Sequence, residues 1–114
     1  MTIKEFKVQY ALGTLSYGDK MGMAGTPSTS KGILTILSRE KNHWIRVKVA
    51  YNVSTPIKIL TKLSKDESSS VRCWIARNRH TTIEVLTELS EDEDMGTRDS
   101  ATFRLRNSYD YQRI

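Results

Sequence analysis

Apolar residues recur along this chain in short clusters separated by polar breaks, and the clusters return every 26 residues. Ile59, Leu60 and Leu63 give the i, i+1, i+4 spacing of one buried helical face. After the polar break Lys65-Asp66-Glu67-Ser68-Ser69-Ser70, Val71, Ile75 and Ala76 form a second apolar stripe, with Ala76 small enough for close helix packing. Each unit therefore reads as two short antiparallel helices. The next unit repeats the first stripe with Ile83, Val85, Leu86 and Leu89, and the pairs Thr55/Thr81, Ile57/Ile83, Leu60/Leu86, Leu63/Leu89, Ser64/Ser90 and Asp66/Asp92 fall in register. One period earlier Thr29, Leu34, Thr35, Leu37, Ser38 and Glu40 take the same places. The second half repeats as well, Ile45-Arg46-Val47-Lys48-Val49-Ala50-Tyr51-Asn52 matching Val71-Arg72-Cys73-Trp74-Ile75-Ala76-Arg77-Asn78. A fixed period of this size marks a solenoid, in which each unit buries a face against the next.

Local signals set the expected boundaries. Ser54 or Thr55 reads as a helix N-cap with Pro56 in the first turn, where its missing N–H costs nothing. Asn52 and Asn78 read as C-terminal caps, since asparagine tolerates the left-handed conformation there. The repeats are expected at 27–52, 53–78 and 79–104. In the last of these, Thr97, Thr102 and Arg104 stand where Val71, Ala76 and Asn78 stood, the divergence of a terminal repeat that meets water. Residues 97–114 read as a capping helix and a tail, the tail over 105–114. Residues 1–26 read as a degenerate N-terminal cap. There Phe6, Val8, Ala11, Leu12 and Leu15 fit a worn first helix, whereas Phe6, Val8 and Tyr10 alternating with Lys7 and Gln9 fit a strand. Stacking on a helical repeat favours the helix.

Composition narrows the classes further. At 114 residues the chain is one domain that buries about two thirds of its unfolded surface. A net charge of +5 favours polyanions or acidic proteins without requiring either, and the two signs are mixed along the chain. Cys73 is the only cysteine, which excludes an intrachain disulfide and a zinc or iron–sulfur cluster held by one chain, and suggests a reducing, cytoplasmic compartment. Met1 to Tyr10 has no apolar signal-peptide core, and no 18-residue apolar run indicates a membrane span.

The unit Val71-Arg72-x-x-Ile75-Ala76-x-Asn78, followed by Thr-Thr or Thr-Pro and then Leu-x-x-Leu-Ser-x-Asp, resembles the leucine-rich repeat variant, one of the HEAT-like helical repeats. The resemblance covers about residues 20–104. It implies an all-α fold, a short right-handed α-solenoid of about three to four two-helix repeats. Members of the family include interaction scaffolds, and the related alkylpurine DNA glycosylases hold DNA on a concave HEAT-like surface. A founding member carries a separate cysteine-rich iron–sulfur segment, which this chain, with Cys73 alone, lacks. The chain is much shorter than the glycosylases, and none of their catalytic positions matches it. In similar repeats the arginine at positions 46, 72 and 98 reaches an acidic residue of the inter-helix turn, here Glu40, Asp66 or Asp92. That reading competes with a basic ladder gripping phosphates.

The positions left unfixed by the repeat are the candidates for function. Val47-Lys48 and Cys73-Trp74, with Tyr51 and Arg77, change type from unit to unit, which predicts exposure. Lys48, Tyr51, Trp74, Arg77, Arg79 and Trp44 together combine aromatic faces with cations. That set suits a protein interface, where Trp, Tyr and Arg dominate hot spots, and equally nucleic-acid stacking. The plain alternative is that Trp44 and Trp74 only cover the core. On the first helices Lys58, Lys62 and Lys65 become Glu84, Glu88 and Glu91 one unit later, so a polyanion would have to use the second-helix side. Signals for catalysis are absent: His43 and His80 lack metal-ligand spacing, and no cofactor loop or catalytic order of residues occurs. Cys73, between Arg72 and Trp74 at a position the repeat does not fix, is a weak candidate nucleophile. The expectation is a non-enzymatic module without a cofactor that docks onto a protein, or alternatively onto nucleic acid.

Overall fold

The computed structural model describes residues 1–113, with side chains through Asn107. It is all-α: α1 (Ile3–Leu12), α2 (Tyr17–Gly25), α3 (Lys31–Leu37), α4 (His43–Tyr51), α5 (Ile57–Leu63), α6 (Ser69–Arg77), α7 (Ile83–Leu89) and α8 (Met95–Arg113). No strand occurs among the described residues. Residues 3–25 form two helices, so the extended alternative for the N-terminus does not hold. Phe6 and Leu15 are buried there, whereas Val8 and Leu12 are exposed. At the other end α8 continues through Arg113, past the expected start of the tail; Ile114 lies outside the described residues.

The helices α2, α4, α6 and α8 pack side by side in succession, and the seven-residue helices α3, α5 and α7 lie against them. The molecule is elongated, 49 × 29 × 19 Å. Its core runs lengthwise through Phe6, Leu34, Leu37, Ile45, Leu60, Ile75 and Leu86, all fully buried. Ile57 and Ile83 keep their identity across units yet stand half exposed at the start of α5 and α7. Among the described residues, no helix is long and apolar enough to cross a membrane.

Side-chain oxygens of Thr2, Ser16, Ser30, Asn42 and Thr82 accept backbone N–H bonds at the starts of α1, α2, α3, α4 and α7. The start of α5 differs from expectation. Pro56 occupies the N-cap position, and neither Ser54 nor Thr55 caps the helix. The buried Thr55 hydroxyl instead donates to the Val49 carbonyl at 2.6 Å, as Thr81 does to Ile75 at 2.6 Å. Each threonine thus adds a second donor to a last-turn carbonyl that also accepts the backbone N–H of the capping asparagine, Asn52 or Asn78.

The asparagines also differ from expectation. Asn52 and Asn78 do end α4 and α6, but with φ of −70° and −71° they are extended, not left-handed. Their role is to clamp neighbouring units. Asn52 Nδ2 donates to the carbonyls of Ala24 at 2.8 Å and Thr26 at 2.9 Å. Asn78 Nδ2 repeats this with Ala50 at 2.9 Å and Asn52 at 3.1 Å. One period on, Arg104 replaces the amide, its Nη1 donating to the Asn78 carbonyl at 2.7 Å. The divergent Thr97 is likewise accommodated: it is fully buried, and its N–H and hydroxyl both donate to the Asp94 carboxylate at 2.9 Å. No buried side-chain nitrogen or oxygen among the described residues lacks a partner.

Candidate functional site

The arginines at repeat spacing are occupied by the fold. Arg46 grips the Asp66 carboxylate through Nε at 2.8 Å and Nη2 at 3.1 Å, and its Nη1 donates to the carbonyls of Glu40 and Lys41. Arg72 does the same one unit later, with Nε and Nη2 on Asp92 at 2.9 and 3.2 Å and Nη1 on the Asp66 carbonyl at 2.8 Å. These side chains are about nine-tenths buried. The ladder starts with Lys20, whose ammonium lies 3.1 Å from Glu40, a carboxylate that also accepts from the Tyr10 hydroxyl. At the far end Arg98 meets only the carbonyls of Asp92 and Glu93 among its described hydrogen-bond partners. A bidentate, buried pair between consecutive units is a structural bond, and it leaves Arg46 and Arg72 no free edge for phosphate.

The surroundings of these groups shift their ionisation. Burial alone would raise the Asp92 carboxyl, but hydrogen bonds from Arg72 and the Asp94 N–H outweigh it and hold the carboxyl below its ordinary range. Glu40 is balanced in the same way, burial opposed by Tyr10 and Lys20, with a net lowering. The Tyr10 hydroxyl, bonded to Glu40, is pushed up from 10.0 to about 12.

The unrepeated residues lie elsewhere, on the exposed side of the long-helix row. Lys48 and Tyr51 sit in the last turn of α4 and Trp74 and Arg77 in the last turn of α6, where the two cations also complement the helix dipoles. The Tyr51 and Trp74 rings meet edge-on, their centroids 5.3 Å apart at 85°. The Lys48 ammonium lies 5.8 Å from the Tyr51 ring centre, and the Arg77 guanidinium 5.2 Å from that of Trp74. Arg77 Nε also donates to the Ser100 hydroxyl at 3.3 Å. Trp44, half exposed in the first turn of α4, leans on the His43 ring at 4.5 Å. Arg79 is exposed just beyond α6.

The structure brings all six of these residues to one strip of three adjoining depressions. The first, of about 360 Å³, is lined by Met21, Trp44, Val47, Lys48, Tyr51 and Trp74. The second, of about 270 Å³, shares Tyr51 and Trp74 and adds Val53, Arg77, Asn78 and Arg79. The third, of about 450 Å³, continues from Arg77 to Asp99, Ser100, Phe103 and Arg104.

Two of the expected exposures fail. Val47 is buried, because its position faces the next long helix and shares the first depression with Trp74. Cys73, at the equivalent place, is half buried, with its sulfur 3.9 Å from the Ser100 hydroxyl. Trp74 itself is half buried and packs against the core, so it is both wall and surface; Trp44 is surface. Sequence reasoning missed Met21, Val53 and Phe103. Phe103 was within reach of it, since it follows Tyr51 and Arg77 at the same repeat position, and its ring is 62% exposed.

Among the described residues no group of three or more His, Cys, Asp or Glu side chains is placed to hold a metal ion. Comparison of the chain with models of protein families, with curated proteins and with solved structures finds no match in any of the three.

Proposed function

We propose that this chain is a small, non-enzymatic helical-repeat module, a short solenoid of the leucine-rich-repeat-variant kind, that docks onto a partner protein in the cytoplasm. The observation that carries the reading is the convergence of the residues the repeat does not use. Arg46, Arg72, Asn52 and Asn78 are consumed in joining units. Trp44, Lys48, Tyr51, Trp74, Arg77 and Arg79 are not fixed by the repeat, and they line one strip with ring–cation contacts already formed. Exposed aromatic rings beside cations carry a solvation cost in the free protein and are the common composition of contact centres.

The test is affinity capture from a native lysate with the wild-type chain and a Trp44→Ala/Arg77→Ala variant. Both residues are exposed, so the variant should melt within about 1 kcal/mol of wild type. The partner should be recovered on the wild type and lost on the variant. Equal recovery on both would remove the strip from the account. Capture of nucleic acid that falls steeply with salt would assign the same strip to phosphate binding instead.

A further inference from the structure

We propose that the strip receives a short acidic segment of the partner protein, with carboxylates set against Lys48, Arg77 and Arg79 and one bulky apolar side chain seated between Trp44 and Tyr51. The proposal rests on the protein-docking reading above and adds the chemistry of what docks. Three cations line the first two depressions, and no carboxylate lines either. The carboxylates of Glu84, Glu88 and Glu91 are exposed on and just after α7, on a different helix from those that form the strip. The field at the first two depressions therefore favours an anion, Asp99 lying in the third beside Arg77 and Arg104, and the walls of the first, Met21, Trp44, Val47, Tyr51 and Trp74, favour an apolar group. Its volume of about 360 Å³ accommodates a leucine or phenylalanine side chain.

The ring geometry selects a peptide over a single-stranded nucleic acid. Base stacking needs open ring faces arranged one after another. Here Tyr51 and Trp74 meet edge to face, and each has a cation lying over its ring. Trp44 already leans on His43. A carboxylate requires none of these faces. It requires cations held in place, and Arg77 is held between the Trp74 ring and the Ser100 hydroxyl. A pre-positioned guanidinium loses little entropy when it takes a carboxylate.

A display library of random short peptides, panned against the wild-type chain, tests the assignment. Enrichment of sequences with Asp or Glu flanking Leu, Phe or Trp is expected. A synthetic peptide of that kind should lose roughly tenfold or more in affinity on a Lys48→Glu/Arg77→Glu variant, and a smaller amount on Lys48→Gln/Arg77→Gln. The milder variant guards against a charge-reversed chain that fails to fold. Replacing the peptide's carboxylates by amides should cause a comparable loss. Enriched peptides that are neutral or basic but still lose binding on the Gln variant would overturn the acidic assignment while leaving the docking surface standing. Peptides whose binding ignores both variants, or a fluorescent oligothymidylate that binds the strip more tightly than any enriched peptide, would overturn the assignment together with the protein-docking reading.

Discussion

At the scale of single residues, the chain divides its cations into two classes that sequence composition cannot separate. Arg46 and Arg72 are internal bolts, each bidentate to the aspartate of the next turn. Arg77 and Lys48 lie over aromatic rings at the surface. Arg72→Ala should therefore destabilise by about 3–5 kcal/mol, because it strands the buried Asp92 carboxylate, and thermal melting measures this. A loss below about 1 kcal/mol would place the pair with ordinary surface ion pairs. The same carboxylate predicts the acid limb of stability. Its pKa is depressed in the folded chain, so its contribution is present above the ordinary value of 3.8 and is lost as pH falls through the folded value. Melting temperature should be level from neutrality to about pH 5 and fall below about pH 4, with a shallower fall in Asp92→Asn. An acid limb of unchanged slope in that variant would show that other carboxylates govern it. The ladder itself was readable from Arg72 and Asp92 recurring at fixed spacing. The clamp made by Asn52 and Asn78 was not, because a helix-ending asparagine has two uses, its backbone conformation or its amide, and only the three-dimensional neighbour decides between them.

At the scale of elements, the short helices α3, α5 and α7 would not persist alone, since seven residues form too few hydrogen bonds to offset nucleation. Their stability comes from the buried triplets Ile33-Leu34-Leu37, Ile59-Leu60-Leu63 and Val85-Leu86-Leu89. Leu63→Ala should cost about 2–5 kcal/mol by transfer and cavity terms, read as a lowered denaturation midpoint. A midpoint unchanged within error would mean that α5 is held by something other than its apolar face. Helix positions were legible because the apolar triplets and polar breaks repeat without an insertion. The start of α5 was not, because a Ser-Thr-Pro run fits both a capped start and a proline start, and Thr55 is drawn inward to the Val49 carbonyl. The extent of α8 was missed because its later residues no longer follow the repeat.

For the whole molecule, the consequence of a repeated framework is that unrepeated side chains gather along one line. Lys48 and Tyr51 are brought beside Trp74 and Arg77 because α4 packs on α6, and the sequence positions alone sufficed to nominate them. Depth was not legible in the same way. Val47 and Cys73 differ between units as the surface residues do, yet Val47 is buried and Cys73 half buried, its sulfur 3.9 Å from the Ser100 hydroxyl on α8. The central claim is that the strip, and not the outer row of short helices, is where this protein meets its partner. Placing a photoreactive benzoylphenylalanine at Trp44, and in a separate variant at the equally exposed Ile57 on α5, tests it directly. Irradiation in a native lysate should give a covalent adduct with a discrete partner protein from position 44 and none from position 57. An adduct from position 57 alone, or equal labelling at both, would contradict the account.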